Sequence, residues 1–246
     1  MRFTDKIAVV TGASRGIGYA IAQRLLEEDC RYVALMDISE DGVKEAAAKL
    51  DPTGQRAGGY RVDVADRENV RECFAALAEK VGPVDILVNN AGITRDAMFH
   101  KMTDEQWDTV LNVNLTGMYN CSKQVIPAMR ERKYGKIVNL ASVSAFGNLG
   151  QTNYGAAKAG VIGYTKCLAR EAARYNITVN CVAPSYVNTD MLRAVPEEVM
   201  QRFLNAIPLG RLGEPEELAA AVAFLCSDDS SFVTGECLVV SGGSYM

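Results

Sequence analysis

The sequence contains only one histidine, His100, among its 246 residues. A Ser-His-Asp triad would have to use that residue, and a metal site built from several histidines is implausible. No stretch approaches the roughly 20 consecutive apolar residues that a membrane-spanning helix needs. We therefore expect no membrane segment, no metal site and a catalytic acid or base other than imidazole.

Signals for disulfides and for export are also lacking. The seven cysteines are an odd number at scattered spacings without a CxxC pair, which favours reduced, mostly buried thiols. The stretch MRFTDKIAVVTG lacks the longer apolar run and the small-residue cleavage site of a signal peptide. With 26 Lys and Arg against 30 Asp and Glu, the net charge of −4 argues against a nucleic-acid partner. These features predict a cytoplasmic protein.

The apolar residues form short runs that alternate with longer amphipathic segments. Seven β-branched runs are apolar almost throughout, as strands covered on both faces must be. No linker or shift in composition divides the chain, so we predict a single domain over 1–246. The alternation predicts an α/β fold, a doubly wound, Rossmann-type parallel sheet of about seven strands with helices on both faces. The helix-length segments include 18–29, 39–50 and 67–81, and the strand runs are KIAVVTG, RYVALMDIS, GGYRVDV, VDILVNNAG, GKIVNLAS, ITVNCVAP and ECLVVSGG.

The first predicted strand runs into a glycine-rich loop, TGASRGIG, with glycines at Gly12, Gly16 and Gly18. Glycines at such a turn let a pyrophosphate approach the free N–H groups at the start of the next helix. The spacing is G-x-x-x-G-x-G instead of the commoner G-x-G-x-x-G, and a glycine-rich turn can also be purely structural. Its place between the first strand and the first helix favours a dinucleotide site.

Two charged residues near this loop indicate different cofactors. Asp37 lies nineteen residues past Gly18, at the end of the second predicted strand. A carboxylate there can accept hydrogen bonds from both ribose hydroxyls of NAD and would repel the 2′-phosphate of NADP. Arg15, inside the loop, could pair with that phosphate, contact the pyrophosphate or face solvent. We favour NAD(H) because of Asp37 and keep NADP(H) open because of Arg15.

Five short motifs follow one another along the chain: TGASRGIG, NNAG, NVNLTG, NLASVS and YGAAK. Together they resemble the short-chain dehydrogenase/reductase family over essentially the whole chain. NNAGITRDAMFHKMTDEQWDTVLNVNLTGMYN, GQTNYGAAKAG and the ending VVSGGSYM are similar to the 3-oxoacyl-thioester reductases of that family. The resemblance implies that a 3-oxoacyl thioester, on acyl carrier protein or coenzyme A, is reduced by hydride from a nicotinamide cofactor.

The stretch QTNYGAAKAG places a phenol and an ammonium, those of Tyr154 and Lys158, one helical turn apart. Ketone reduction needs a proton for the developing alkoxide, and a nearby positive charge lowers the pKa of a phenol. We predict Tyr154 as the general acid/base and Lys158 as its tuning residue, which by resemblance also holds the nicotinamide ribose. The resemblance further implies that Ser142 hydrogen-bonds the substrate oxygen. It implies that Asn114 kinks its helix and holds a water leading protons to the lysine, although a buried amide also has structural uses.

Two positions depart from the family pattern. Ser142 and Tyr154 are twelve positions apart, where the family usually has thirteen, so Ser144 is the second candidate for the serine role. We place the missing residue in SAFGNLG, ahead of the tyrosine. Ser185 stands where glycine is usual, in the loop that faces the nicotinamide. Both departures affect the expected shape of the pocket.

The predicted cofactor site extends beyond the glycine loop. Asp63 ends the third predicted strand, where its carboxylate could meet the adenine amino group or cap its own loop. The resemblance implies that Asn90 and Gly92 stabilise the central sheet and approach the cofactor ribose, and that APSYVNTDM faces the nicotinamide. The predicted cofactor-binding residues are Gly12, Ser14, Arg15, Gly16, Ile17, Gly18, Asp37, Asp63, Val64, Asn90, Gly92, Tyr154, Lys158, Pro184, Val187 and Thr189.

Further expectations concern substrate access and partners. The segment 188–217 resembles the substrate lid of the family, which closes over the reacting centre. Arg130, Arg132, Lys133 and Arg174 are local positive charges on an acidic protein. They could receive an acyl carrier protein, or they could be solvated side chains that stabilise helix ends. The resemblance also implies a homotetramer.

Two other functions stay open. The same scaffold serves NAD-dependent secondary-alcohol, hydroxysteroid and sugar dehydrogenases, and Asp37 favours these because biosynthetic reductases of this kind more often use NADPH. A cofactor-binding regulator without catalysis is the other alternative. The complete set of Asn114, Ser142, Tyr154 and Lys158 argues against it.

Overall fold

Seven strands form the core of the computed structural model, which describes residues 2–189, 192 and 197–245. They are Ile7–Thr11 (β1), Tyr32–Asp37 (β2), Ala57–Arg61 (β3), Ile86–Asn89 (β4), Gly135–Leu140 (β5), Ile177–Pro184 (β6) and Cys237–Val240 (β7). They make one sheet in the order β3-β2-β1-β4-β5-β6-β7, and every neighbouring pair is parallel. Parallel neighbours require crossover connections, which the helices provide.

Helices cover both faces of this sheet. They are Gly16–Glu27 (α1), Glu40–Leu50 (α2), Arg67–Val81 (α3), Asp104–Leu111 (α4), Gly117–Arg132 (α5), Thr152–Ala172 (α6), Glu197–Asn205 (α7) and Pro215–Cys226 (α8). Side-chain caps fix several starts: Ser39 accepts from Gly42 N, and Asp66 accepts from two N–H groups of the first turn of α3. Across the described ranges, no helix is long and apolar enough to span a membrane.

Side chains of the central strands alternate between two apolar layers. In β1, Ala8 and Val10 belong to the layer that packs on α1 and α8. Ile7 and Val9 belong to the opposite layer, which includes residues of α3 and α5. Every residue of β1, β5 and β6 is buried, whereas the four residues of the edge strand β7 are partly exposed. The uniformly apolar strands thus reflect cover on both faces.

The predicted α/β class with a parallel, helix-covered sheet in a single domain is confirmed. All seven predicted strand runs are strands, and the predicted segments 39–50 and 67–81 contain α2 and α3. The first helix differs, because α1 starts at Gly16, two residues earlier than predicted. The glycine loop therefore passes directly into the helix.

Candidate active site

The candidate site lies at the carboxyl ends of β1 and β4, where the strand order reverses. β2 and β4 pair with opposite edges of β1, so the connections diverge at this point. In open parallel sheets, such a switch point leaves a crevice in which ligands bind. The glycine loop follows β1 and NNAG follows from β4, so both predicted motifs border this crevice.

The glycine loop is packed too closely for side chains at two positions. Gly12 has a φ of +63°, and an added Cβ would lie 2.8 Å from the backbone of the NNAG segment. A Cβ at Gly18 would overlap the carbonyl oxygen of Gly12. At Gly16, in contrast, the nearest atom to an added Cβ is Thr189 Cγ2, at 3.6 Å. The loop is therefore tight against the sheet and open towards Thr189.

The first turn of α1 offers hydrogen-bond donors. Its N-cap, Arg15, is extended and exposed and makes no side-chain hydrogen bond to the helix. The N–H groups of Gly16, Ile17 and Gly18 thus have no side-chain cap, and the helix dipole is positive at this end. This arrangement suits a pyrophosphate.

Asp37 is fixed beside the loop by two backbone donors. Its Oδ2 accepts from Ser14 N and its Oδ1 from Ser39 N, both at 3.1 Å. The α2 cap is Ser39, so the carboxylate of Asp37 is not used as a helix cap. Each of its oxygens can accept further bonds. Asp37 is therefore held in position with capacity left for ribose hydroxyls.

Asp63 and Val64 follow β3 and shape their own loop. Asp63 Oδ1 accepts from Ala65 N at 2.9 Å, which is the loop-capping alternative. Val64 is buried against Gly117, and its carbonyl accepts from Asn120 Nδ2 at 2.9 Å. A contact of these two residues with adenine stays a prediction.

Asn90 braces the glycine loop. Its Nδ2 donates to the carbonyl oxygens of Thr11 and Gly12, each at 2.9 Å. The preceding residue, Asn89, makes the contacts across the sheet, since its Nδ2 donates to Asn139 Oδ1 at 2.8 Å. The contact across the sheet, expected of Asn90 and Gly92, is therefore made by Asn89, and Asn90 supports the glycine loop instead. The expected approach of Asn90 and Gly92 to the cofactor ribose stays a prediction.

Tyr154 and Ser142 are brought together from α6 and from the turn after β5. The Ser142 hydroxyl hydrogen-bonds the phenol and also accepts from Ser144 N at 3.1 Å. Ser144 is buried, and its carbonyl oxygen would lie 2.9 Å from a Cβ at Gly155, so this glycine lets α6 pack closely. Despite the short spacing, the serine against the phenol is Ser142.

The pKa of Tyr154 shifts in the direction opposite to the predicted one. Burial raises this pKa, the hydrogen bond with Ser142 lowers it, and the negative charge of Asp96 raises it. Lys158 Nζ lies 5.5 Å from the centroid of the phenol ring, so its influence is outweighed by burial. The phenol therefore holds its proton more firmly than the sequence argument expected.

Lys158 is buried one turn further along α6. Its Nζ donates to the carbonyl oxygen of Leu140 at 2.6 Å. Burial lowers the pKa of Lys158 from 10.5 to about 8. The ammonium is consequently a better proton donor than an exposed lysine near neutral pH.

Asn114 lies in a π-helical turn, Asn112–Thr116, between α4 and α5. Its Nδ2 donates to the carbonyl oxygens of Ile93 and Val110, each at 2.9 Å. The wider turn leaves the ordinary helical hydrogen-bond pattern at this point, and such turns are frequent at functional sites. The kink expected from the resemblance thus has a defined structural form.

The side-chain oxygen of Asn114 differs from the nitrogen in its surroundings. Asn114 Oδ1 is buried without a hydrogen bond in the described part of the chain. A Cβ added at Gly92 would lie 2.6 Å from this oxygen and 3.5 Å from Lys158 Nζ. An unsatisfied buried acceptor is costly, so a polar group belongs here when the site is complete. Together with the free donors of α1 and the Asp37 carboxylate, this acceptor fits a bound nicotinamide dinucleotide.

The loop after β6 forms the opposite wall. Pro184 ends β6, Val187 is buried, and Thr189 N donates to the Val187 carbonyl at 2.8 Å. Ser185, where the resemblance led us to expect glycine, lies with its Oγ 2.7 Å from Ser244 Oγ. The substitution therefore joins this wall to the C-terminal segment.

Sequence reasoning missed a polar group at the mouth of the site. Gln151 Nε2 donates to Asp96 Oδ2 at 2.9 Å, and Asn148 Nδ2 donates to Gln151 Oε1 at 2.8 Å. These bonds join the loop after NNAG to the loop ahead of α6. The available signal was the amide of Gln151, three residues before Tyr154.

The predicted lid, 188–217, is described only in part. Positions 190, 191 and 193–196 lie outside the described residues. Within the described part, α7 packs through Phe203, whose ring stacks on Tyr186 with centroids 4.2 Å apart. Ile207 is buried beyond α7. Closure of this segment stays a prediction.

A family model described as enoyl-(acyl carrier protein) reductase matches residues 12–245. The chain belongs to this family, within the short-chain dehydrogenases/reductases. The acetoacetyl-CoA reductase of Shinella zoogloeoides is 46% identical over 243 residues, covering 98% of this chain and 99% of that protein. The 3-oxoacyl-(acyl-carrier-protein) reductases FabG of Vibrio harveyi and Escherichia coli K12 are 46% and 45% identical over 247 residues, covering 100% of both chains. The predicted resemblance is confirmed, and the chain is a nicotinamide-dependent oxidoreductase.

Proposed function

We propose that the protein reduces a 3-oxoacyl thioester to the 3-hydroxyacyl thioester. The observation that carries this proposal is the Tyr154 phenol, which is hydrogen-bonded to Ser142 and followed one turn later by Lys158. Such a group can protonate a ketone oxygen. Full-length relatives that are named for this reaction, on acyl carrier protein or coenzyme A, support the substrate class.

The side chains divide the proton chemistry among them. A bound nicotinamide cofactor would supply the hydride. A phenol with its ordinary pKa of about 10 is protonated at neutral pH, and burial raises the pKa of Tyr154 further. Tyr154 therefore donates its proton to the oxygen that becomes an alkoxide. Ser142 donates a hydrogen bond to the same oxygen and stabilises its charge.

Lys158 and Asn114 support the return of that proton. With its pKa lowered to about 8, Lys158 can release a proton near neutral pH towards the phenolate. The buried Asn114 Oδ1 is the acceptor beside it and can orient the groups that recharge the lysine. The same lysine would hold the nicotinamide ribose, while the first turn of α1 would hold the pyrophosphate.

We further propose that the preferred cofactor is NAD(H), because the carboxylate of Asp37 is fixed where ribose hydroxyls would bind. Replacing Asp37 by Ser should shift the NADPH-to-NADH ratio of kcat/KM towards NADPH by about tenfold or more. Asp63→Ser is the matched control and should leave the ratio unchanged. A wild-type preference for NADPH would contradict the assignment to Asp37.

An acyl carrier protein is the proposed partner, and we propose Arg130, Lys133 and Arg174 as its docking residues, without Arg132. The guanidinium of Arg132 is paired with Asp85 and donates to the Val84 carbonyl, so it supports the fold. Arg130 and Arg174 are exposed, and both stack on Tyr175, at 4.3 and 4.8 Å from its centroid. These two guanidiniums form one basic patch, to which the exposed Lys133 adds charge.

Charge reversal tests this docking surface. Arg130→Glu together with Arg174→Glu should raise KM for a carrier-bound substrate about tenfold and spare a free coenzyme A thioester. Lys44→Glu together with Lys49→Glu, both at exposed positions of α2, carries the same two charge reversals away from the patch and should change neither. Equal loss on both substrates would contradict carrier docking.

We also propose a homotetramer. α6 carries Ala156, Ala159 and Gly163 on its exposed face, and a face of such small residues lets a second helix approach closely. Light scattering coupled to size-exclusion chromatography measures the mass directly. A monomeric mass at micromolar concentration would contradict this assembly.

One assay separates the proposed function from the second candidate, an NAD-dependent secondary-alcohol dehydrogenase that Asp37 favours. Purified protein is offered NADH or NADPH with acetoacetyl thioesters, and NAD with a hydroxysteroid and a sugar alcohol. We expect thioester reduction to exceed the other activities by at least about a hundredfold in kcat/KM. Turnover of an alcohol with no thioester reduction would overturn the proposal.

A further inference from the structure

Two cysteines that are far apart in the sequence lie side by side in the sheet. Cys181 on β6 and Cys237 on β7 are directly opposite each other in the strand register. Neighbouring strands are about 4.8 Å apart, and the Cα atoms of a disulfide are usually about 4.4 to 6.8 Å apart. Because opposite residues of parallel strands point to the same face, the two thiols meet on one side of the sheet.

This pair combines a shielded thiol with an accessible one. Cys181 is completely buried, whereas Cys237 on the edge strand is partly exposed. Both belong to the small apolar cluster between the sheet and α6, together with Val161 and Ala183. A reagent can therefore reach Cys237 directly, whereas Cys181 is shielded from solvent.

The surroundings of the two thiols polarise them in opposite directions. The hydrogen bond from Cys181 lowers the pKa of Cys237, burial and Glu236 oppose this, and Lys166 on α6 adds to the lowering. The same hydrogen bond, together with burial, raises the pKa of Cys181. The partly exposed thiol is thus the more acidic of the two, and the thiolate is the reactive form of a cysteine.

We propose that Cys181 and Cys237 are an oxidisable thiol pair that a hydroperoxide converts into an intramolecular disulfide. The Cys237 thiolate attacks one oxygen of hydrogen peroxide, the O–O bond breaks, and Cys237 becomes a sulfenic acid as hydroxide leaves. The Cys181 sulfur then attacks the sulfenic sulfur, the S–O bond breaks, and its thiol proton leaves with the hydroxyl group as water. Two thiols have lost two electrons and two protons, and the peroxide has accepted them.

The pair is connected to the helix that holds the catalytic residues. Cys181 hydrogen-bonds the side chain of Thr165 on α6, and Thr165 Oγ1 accepts from Asn139 Nδ2 at 2.9 Å. Asn139 in turn accepts from Asn89 Nδ2 at 2.8 Å. Disulfide formation converts the Cys181 thiol, at one end of this buried polar row, into half of a disulfide. Oxidation of the pair therefore changes a residue that contacts α6 at a position well inside the fold.

Mass spectrometry of the full chain tests the proposal. Reduced protein is freed of reductant, exposed to hydrogen peroxide, blocked with N-ethylmaleimide and digested without reduction. We expect a cross-linked peptide that contains Cys181 and Cys237, has lost two hydrogen atoms and is separated again by dithiothreitol. On a non-reducing gel, the oxidised chain should run as a monomer.

Variants at the accessible positions supply the controls. Cys237→Ser should abolish the cross-link, while Cys167→Ser, at the exposed cysteine of α6, should keep it. Far-UV circular dichroism shows whether each variant folds. Over-oxidation of Cys237 without a cross-link, or a dimer joined through Cys237, would overturn the proposal in the wild-type protein itself.

Discussion

At the nucleotide end of the site, the backbone makes the shape, whereas at the catalytic end buried side chains do. Gly12 packs against the NNAG segment at a positive φ. Tyr154, Lys158 and Asn114 are instead positioned by hydrogen bonds with residues of separate elements. The difference teaches that the shape of the first end is set by where glycines stand in the chain, while the second end exists only once the sheet, α6 and the π-helical turn are assembled.

The largest expected effect comes from removing the phenolic hydroxyl. Tyr154→Phe deletes the proton donor and the bond to Ser142 with little change of shape. We expect kcat to fall about a thousandfold, with the Kd for the cofactor within about threefold of wild type. Stopped-flow reduction and fluorescence titration of the cofactor measure the two quantities. Parallel loss of cofactor binding would mean that the two ends are not separable.

Lys158 gives the catalytic end a pH-dependent stability. Its pKa is about 8 when folded and 10.5 when unfolded, so between these values the unfolded chain binds the extra proton. The free energy of unfolding contributed by this group therefore rises with pH across that window. A Lys158→Met variant lacks this titrating group. The free energy of unfolding of the variant minus that of wild type should therefore fall by roughly 2 kcal/mol from about pH 7.5 to about pH 9.5.

Urea unfolding at several pH values measures this change. Lys166→Met, at an exposed lysine of the same helix, is the control and should leave the difference from wild type constant. A constant gap for Lys158→Met as well would show that the lysine is not sensing burial.

Two glycines with similar dihedral angles sharpen the nucleotide side of the comparison. Gly12 has a φ of +63° and a Cβ contact at 2.8 Å, whereas Gly54 has a φ of +68° and nothing within 4 Å. Gly54→Ala should lower the free energy of unfolding by only about 1 kcal/mol, the cost of a side chain on a left-handed residue. Gly12→Ala should lower the free energy of unfolding by about 2 kcal/mol more than Gly54→Ala does, because the added methyl group overpacks the loop. It should also weaken cofactor binding.

The free energy of unfolding and the Kd for the cofactor are the two measurements for this glycine pair. Equal destabilisation by both substitutions would contradict a packing role for Gly12.

The smallest expected effect concerns Ser185. Its bond to Ser244 Oγ is one hydroxyl pair, so Ser185→Ala should cost about 1 kcal/mol of unfolding free energy. Ser244→Ala should cost the same, and the double variant no more than either single variant. Thermal melting of the three variants completes a double-mutant cycle. If the losses of the two single variants add up in the double variant, the two hydroxyls do not share a bond.

These contrasts explain what the sequence could predict. The strands and the glycine loop could be predicted from local patterns, because apolar runs and glycine positions specify the structure of the segments that contain them. The direction of the Tyr154 pKa shift could not be obtained in this way, because it depends on how much of the fold covers the phenol. The ion pair of Arg132 with Asp85, which is 47 positions away, likewise forms only when α5 is packed beside β4.

The π-helical turn has a consequence for how this chain can change. Each residue advances a helix by about 100°, so the extra residue in Asn112–Thr116 also sets which side of α5 faces the sheet. Deleting one residue there would restore a regular helix and turn Cys121, Val125 and Met129 away from the core that they now fill. Asn114 therefore cannot be lost by deletion without unpacking α5, and only a point substitution can remove it from the site.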